Sequence, residues 1–204
     1  PNKYRPLPFW SWNERLTVEE TRRQIAEMER AGIGGYFMHA RGGLQTPYLG
    51  DEWMDNIAAG IDEARKRDMG AWVYDENGWP SGFGDGRVNG LGIEYQQKYL
   101  RMEEVEGPVS GARCQVSGDA ETATAGEADG AAAEISHLTR CEISTITVVG
   151  LPDGKRLRFY YDVNPFYVDT LDAHVVKTFI ETILDEYAAR FPDDLGKALP
   201  GVFT

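Results

Sequence analysis

Two carboxylates stand side by side where an apolar run stops: Ala71, Trp72, Val73 and Tyr74 are followed by Asp75 and Glu76. The chain then continues through Asn77, Gly78, Trp79, Pro80, Ser81 and Gly82, a rigid turn that carries an aromatic ring. Acids at such a place can donate and accept protons, bind a hard cation or accept hydrogen bonds from sugar hydroxyls. Two further apolar runs end in polar groups: residues 8–12 stop at Asn13, and residues 33–40 stop at His39 and Arg41. Trp12, Tyr48 and Trp79 are flat surfaces on which the apolar side of a sugar ring can stack. This mixture suits a neutral polyol better than a phosphate, which would call for a Gly-rich cradle or more cations. The candidate site is therefore Trp12, Asn13, His39, Arg41, Asp75, Glu76 and Trp79, with no metal ligand set assigned.

Each of these residues has a structural alternative. Asp75 can cap the following turn, and Glu76 can be a solvated acid. His39 can be a hydrogen-bonded core histidine, Arg41 an ion-pair partner of Asp75 or Glu76, and Trp12 partly core. His137 and His174 fall in a different region and on a helix, and neither is expected to be catalytic. What raises the candidate set above these readings is its position at three successive strand ends.

The elements that must position those residues alternate. Thr17 and Glu20 form a capping box for a helix over residues 17–32, with Gly32 just past its end. Trp53, Ile57, Ile61 and Ala64 recur at helical spacing, which predicts a second helix from Asp51 to Asp68 that Gly70 stops. Repeated strand–helix units with continuous apolar strands mean a parallel sheet covered by helices. Functional groups at each strand end favour a partial (β/α) TIM-type barrel over an open doubly wound sheet, which would need a Gly-x-Gly-x-x-Gly turn after the first strand.

The pattern changes after about Leu100. Residues 117–134 are small and acidic and read as a mobile loop, and residues 142–163 read as a hairpin around Pro152, Asp153 and Gly154. The expected organisation is three strand–helix units over 1–99, a small antiparallel β insertion over 100–162, and a further unit over 163–204. In that last unit, residues 165–171 reopen the barrel, a helix runs from Asp172 to Phe191, and residues 199–204 begin another strand.

Composition excludes several partners. Of 204 residues, 42% are hydrophobic, enough for a core, and no stretch approaches the about 20 apolar residues of a membrane span. With 21 basic against 33 acidic residues, a net of −12, nucleic acid and anionic membrane are not expected as partners. Cys114 and Cys141 show no metal spacing, and whether they pair stays open. The chain opens on Pro1 rather than Met, which leaves localisation open.

Residues 8–49, 72–86 and 168–191 together resemble the start of the barrel in large α-L-rhamnosidase-type glycoside hydrolases of the family-106 kind. The resemblance rests on Phe-Trp-Ser-Trp-Asn, His-Ala-Arg-Gly-Gly-Leu and Tyr-Asp-Glu-x-Gly-Trp-Pro-Ser-Gly, and covers most of the chain outside the insertion. It implies a TIM-type barrel, a carbohydrate substrate and, in the full-length enzyme, room for a calcium ion near the site. Relatives carry Ala-Gly-Gly after Pro-Ser-Gly where this chain has Phe83, Gly84, Asp85 and Gly86, which leaves the loop's shape open. Relatives also continue from Phe-Thr into Asp-Glu-Pro, so the expected general acid follows Thr204 and the chain reads as an N-terminal part of an enzyme. Such a fragment is expected to be inactive by itself, and to self-associate through unpaired sheet edges. The competing readings are a non-catalytic carbohydrate-binding module on a degenerate half-barrel and a metal-dependent hydrolase, the latter weakened by the lack of a His-x-His cluster.

Overall fold

A computed structural model describes residues 2–79, 81–106, 141–151 and 155–204. The first elements are β1 (Phe9–Trp12), α1 (Val18–Arg30), β2 (Gly35–Ala40), α2 (Asp51–Arg67) and β3 (Gly70–Tyr74). Three long strands follow: β4 (Gln96–Val105), β5 (Cys141–Gly150) and β6 (Arg156–Val168). The chain closes with α3 (Ala173–Phe179), a π-helical turn (Ile180–Leu184), α4 (Asp185–Arg190) and β7 (Val202–Phe203). They fall into two units, Pro1–Arg87 with Lys177–Thr204, and Val88–Val176.

The first unit holds a four-stranded parallel sheet in the order β1-β2-β3-β7. Its strands pair Ser11 with His39, Met38 with Val73 and Tyr74 with Phe203. All four strands run the same way, so Trp12, His39, Tyr74 and Phe203 lie at one end of the sheet.

One face of this sheet packs on the helices. There Trp12 meets Trp53 of α2 edge-on at 5.0 Å, and Trp10 meets Tyr36 at 5.4 Å. The Tyr36 hydroxyl donates to the Gly60 carbonyl at 2.8 Å. Gly60 must lack a side chain, because a Cβ would sit 2.5 Å from the Met38 sulfur. Trp53 donates from Nε1 to the Tyr187 hydroxyl of α4 at 3.1 Å. The other face is a chain of rings: Phe9 lies 5.0 Å from Phe37 and 4.8 Å from Phe203, and Phe37 lies 5.6 Å from Trp72.

The helices begin as their sequence predicts and end with one difference. Thr17 accepts from the Glu20 N–H to cap α1, and Gly32 takes a left-handed φ of 83° just after it. Helix α2 ends at Asp68 as expected, but Asp68 rather than Gly70 closes it, in the left-handed region at φ 55°, a conformation that Asp tolerates better than most residues. Gly70 instead opens β3, where it pairs with Gly35. Between the helices, the Thr21 hydroxyl donates to the Asn56 side chain at 2.7 Å, and Arg22 reaches Asp62 and Glu63, each at 2.6 Å.

The second unit is a three-stranded antiparallel sheet in the order β4-β6-β5. The hairpin over residues 142–163 is present as β5 and β6, closed by the Leu151 N–H to the Lys155 carbonyl at 2.8 Å. Its Pro152-Asp153-Gly154 turn, the acidic run 117–134, Cys114 and His137 lie outside the described residues. Residues 165–168, read from sequence as the reopening of the parallel sheet, instead complete β6, and Val168 pairs antiparallel with Gln96. The ladder jumps there from Gln96↔Val168 to Gln97↔Asn164, and this irregularity takes up Pro165, which has no N–H to give a ladder. A short apolar run looks alike in either kind of sheet, so periodicity alone could not assign it.

The architecture is thus mixed α/β, with one parallel and one antiparallel sheet, and no closed barrel forms among the described residues. None of the described helices is long and apolar enough to cross a membrane.

Candidate functional site

The end of the parallel sheet where β1, β2 and β3 finish gathers most of the sequence candidates. Register sets their neighbours. His39 lies beside Tyr74 across the β2–β3 pair, with ring centroids 4.2 Å apart and edge-on. Tyr74 in turn stacks with Trp79, centroids 6.3 Å apart and planes within 16°. Trp79 is 64% exposed, so it offers a broad flat surface with Tyr74 alongside it.

His39 is only 4% exposed, and its Nε2 has no hydrogen-bond partner among the described residues. Burial first, and the charge of Arg41 second, hold the imidazole below its ordinary value, against a smaller upward pull from the Gly78 backbone. A neutral imidazole with an unpartnered nitrogen can take one more hydrogen bond at that atom. Arg41 is half-buried, and no ion pair joins it to Asp75 or Glu76.

The two acids that end β3 behave differently. Asp75 is 2% exposed, and its Oδ1 accepts from the Ser81 hydroxyl at 2.8 Å. Burial raises its carboxyl, while the hydroxyls of Thr204 and Ser81 pull it back down. Asp75 is thus a carboxyl group that meets hydroxyls. Glu76 is fully buried and meets amides. Its Oε1 accepts from the N–H groups of Gly82 at 2.5 Å and Phe83 at 2.8 Å, and its Oε2 from Gly84 at 2.7 Å. Burial pushes the Glu76 carboxyl up to about 7 against the pull of those three donors.

The remaining candidates separate. Trp12 is buried on the helix-packed face among Trp10 and Trp53, so its ring is core. Tyr48 is buried on that side too, 5.1 Å from Trp53. Asn13 is exposed just past the end of β1, and its carbonyl would meet a Cβ at Gly43 at 2.8 Å, so the loop after β2 runs close by.

Two participants were missed in the sequence. Tyr74 was read only as a strand residue, although its placement two positions from Trp72 puts both on one face. Ser81 was read only as part of a turn. The signal for Tyr74 was its alternation with Val73; that for Ser81 needed the loop's return path, which no local pattern shows.

No residues of this chain are assigned to the calcium ion that the resemblance implies for the full-length enzyme. Among the described residues, no three His, Cys, Asp or Glu side chains come together as metal ligands. Both Glu76 oxygens face N–H donors, a setting that suits an acceptor and not a cation ligand. No step is therefore routed through a metal.

No protein-family model and no curated protein matches the chain. Among solved structures it is similar to the rhamnosidase from Novosphingobium sp. PP1Y, at 28% identity over 52% of this chain and 10% of that one, with a TM-score of 0.42. The chain thus spans about a tenth of that protein's length, and a likeness of this degree settles neither fold nor function.

Proposed function

We propose that this chain forms the sugar-binding side of a glycoside hydrolase-type site, at the C-terminal ends of strands that belong to a partial (β/α) barrel. The observation that supports it is the pairing of the orphaned, buried His39 Nε2 with the exposed Trp79 ring across Tyr74. An aromatic plane beside a fixed hydrogen-bonding group is what a sugar ring requires, one for its apolar face and the other for a hydroxyl. In this reading Trp79 stacks on the ring and His39 bonds a hydroxyl. Asp75, Arg41 and Asn13 contact hydroxyls around its edge, while Trp12 supports the site from the core.

Glycoside cleavage needs two carboxyl groups on opposite sides of the scissile bond. Asp75 and Glu76 are neighbours at one strand end, and Glu76 is sealed behind its loop, so the pair cannot flank a bond. The chain on its own therefore binds sugar without cleaving it. An α-L-rhamnoside is the first substrate to test. Titration calorimetry with methyl α-L-rhamnoside should show binding, weakened roughly tenfold, about 1.4 kcal/mol, by Trp79→Ala and by His39→Ala. Equal affinity in all three proteins would end this reading. Release of the leaving group from a chromogenic rhamnoside by the purified chain would overturn the claim that it does not cleave. We also propose self-association, because β1 and β7 each pair on one side only among the described residues. Light scattering from a monomer at micromolar concentration would contradict that.

A further inference from the structure

Glu76 is the least accessible of the candidate residues and the most heavily hydrogen-bonded. It is fully buried, yet three consecutive backbone N–H groups, of Gly82, Phe83 and Gly84, converge on its two oxygens. Hydrogen bonds to an ionised acceptor are the strong kind, and three on one carboxylate fix the backbone that supplies them. The loop bends to deliver those amides. Gly82 adopts φ 113° and Gly84 φ 51°, conformations that side chains rarely accept. Gly84 also lies close to the end of α3 and the π-helical turn, where a Cβ would lie 2.9 Å from Phe179 and 3.2 Å from Ile183.

The rest of the loop closes on the same hub. Ser81, next to Gly82, donates to Asp75, and Asn77 donates to Asp85, which itself holds a left-handed φ of 60°. Trp79 lies inside this closed segment, between Glu76 and the amides that Glu76 holds. An exposed indole on a free ten-residue loop would sample many orientations. Here both ends of its segment are tied to one buried carboxylate.

Resting on the carbohydrate reading above, we propose that Glu76 is a positioning residue that touches no ligand and fixes the loop over 77–86 so that Trp79 keeps its plane against Tyr74. Its neighbour Asp75 takes the Ser81 hydroxyl of the same loop, so the two adjacent acids hold the segment from both sides of Trp79.

The test is Glu76→Gln in the full chain, which sets an NH2 group against at least one of the three N–H donors. The Gly82, Phe83 and Gly84 amides should exchange with solvent at least tenfold faster, and acrylamide should quench the Trp79 emission more readily, with Trp79→Phe as the spectral control. Affinity for methyl α-L-rhamnoside should fall as far as in Trp79→Ala, and the double variant should fall no further, because both changes remove the same contact. Unchanged amide exchange, or losses that simply add, would overturn the proposal. If the Gln variant does not fold, the wild-type chain decides. Its Gly82, Phe83 and Gly84 amides must be protected relative to those of Asn77, Gly78 and Trp79, and equal exchange would overturn the proposal. A wild-type chain that ignores the sugar refutes the carbohydrate reading only, since exchange and quenching still judge the hold of Glu76 on the loop.

Discussion

The parallel and antiparallel sheets use their polar residues in opposite ways. In the antiparallel sheet several charged groups along the strands have partners among the described residues. Arg101 pairs with Asp162 at 3.1 Å, Arg158 with Glu103 at 2.9 Å and Lys98 with Asp169 at 3.1 Å. Its exposed residues include large apolar ones, Leu100 at 64% and Met102 at 60%. In the parallel sheet β2 and β3 are mostly apolar and buried, and their polar groups gather where the strands end. There one of them, His39, is buried and has no partner at Nε2 among the described residues. A paired charge has little left to offer a ligand, whereas an orphaned polar group held rigidly costs stability and signals a use. The proposed sugar site lies in the parallel unit.

That contrast is broken most directly in the core behind the site. Trp53 is fully buried, packs on Trp12 and Tyr48, and donates to the Tyr187 hydroxyl. Trp53→Ala should cost about 3–5 kcal/mol in a chemical denaturation series. A loss below about 1 kcal/mol would mean that the parallel unit is no better packed than the exposed face of the antiparallel one. Next in size is Gly84→Ala, which meets a left-handed φ and a Phe179 ring at 2.9 Å. It should cost about 1–3 kcal/mol and should loosen Trp79 while leaving the strands intact. Wild-type stability in that variant would show that the loop does not need its glycine.

How far the sequence carried these conclusions also differs between the two sheets. Strands β1 to β3 and helices α1 and α2 were legible to within about two residues, because caps, stripes and unbroken apolar runs each act locally. The same locality located His39, Asp75 and Trp79 near strand ends. It could not show that Glu76 turns toward its own loop, since that depends on amides six to eight residues later, at Gly82, Phe83 and Gly84. Nor could it separate residues 165–168 from a parallel strand. The partner that decides, Gln96, lies some seventy residues away in sequence.

A smaller effect follows from acid. The His39 imidazole is held below its ordinary value of 6.5, mainly by burial and then by Arg41. The unfolded chain therefore takes up this proton at higher pH than the folded one. Folding stability is unaffected by His39 above 6.5 and declines as pH falls through 6.5 toward the depressed folded value. Melting curves across that range should show the decline in the wild type and a shallower one in His39→Gln. An equally steep decline in the variant would assign the acid sensitivity elsewhere.

The smallest expected effect is in the antiparallel sheet, and it sharpens the comparison from the other side. Leu100 pairs across the ladder with Tyr161 and keeps most of its surface in water. Arg101 and Asp162 form an ion pair in which the arginine side chain is half-exposed, so screening and side-chain entropy leave it worth little. Leu100→Ser and Arg101→Ala should each change unfolding free energy by no more than about 0.5–1 kcal/mol. Neither should alter affinity for methyl α-L-rhamnoside, because neither residue belongs to the parallel unit where the sugar site is proposed. If either substitution weakened sugar binding while leaving stability intact, the antiparallel sheet would itself carry part of the site, and the division of labour between the two sheets would fail.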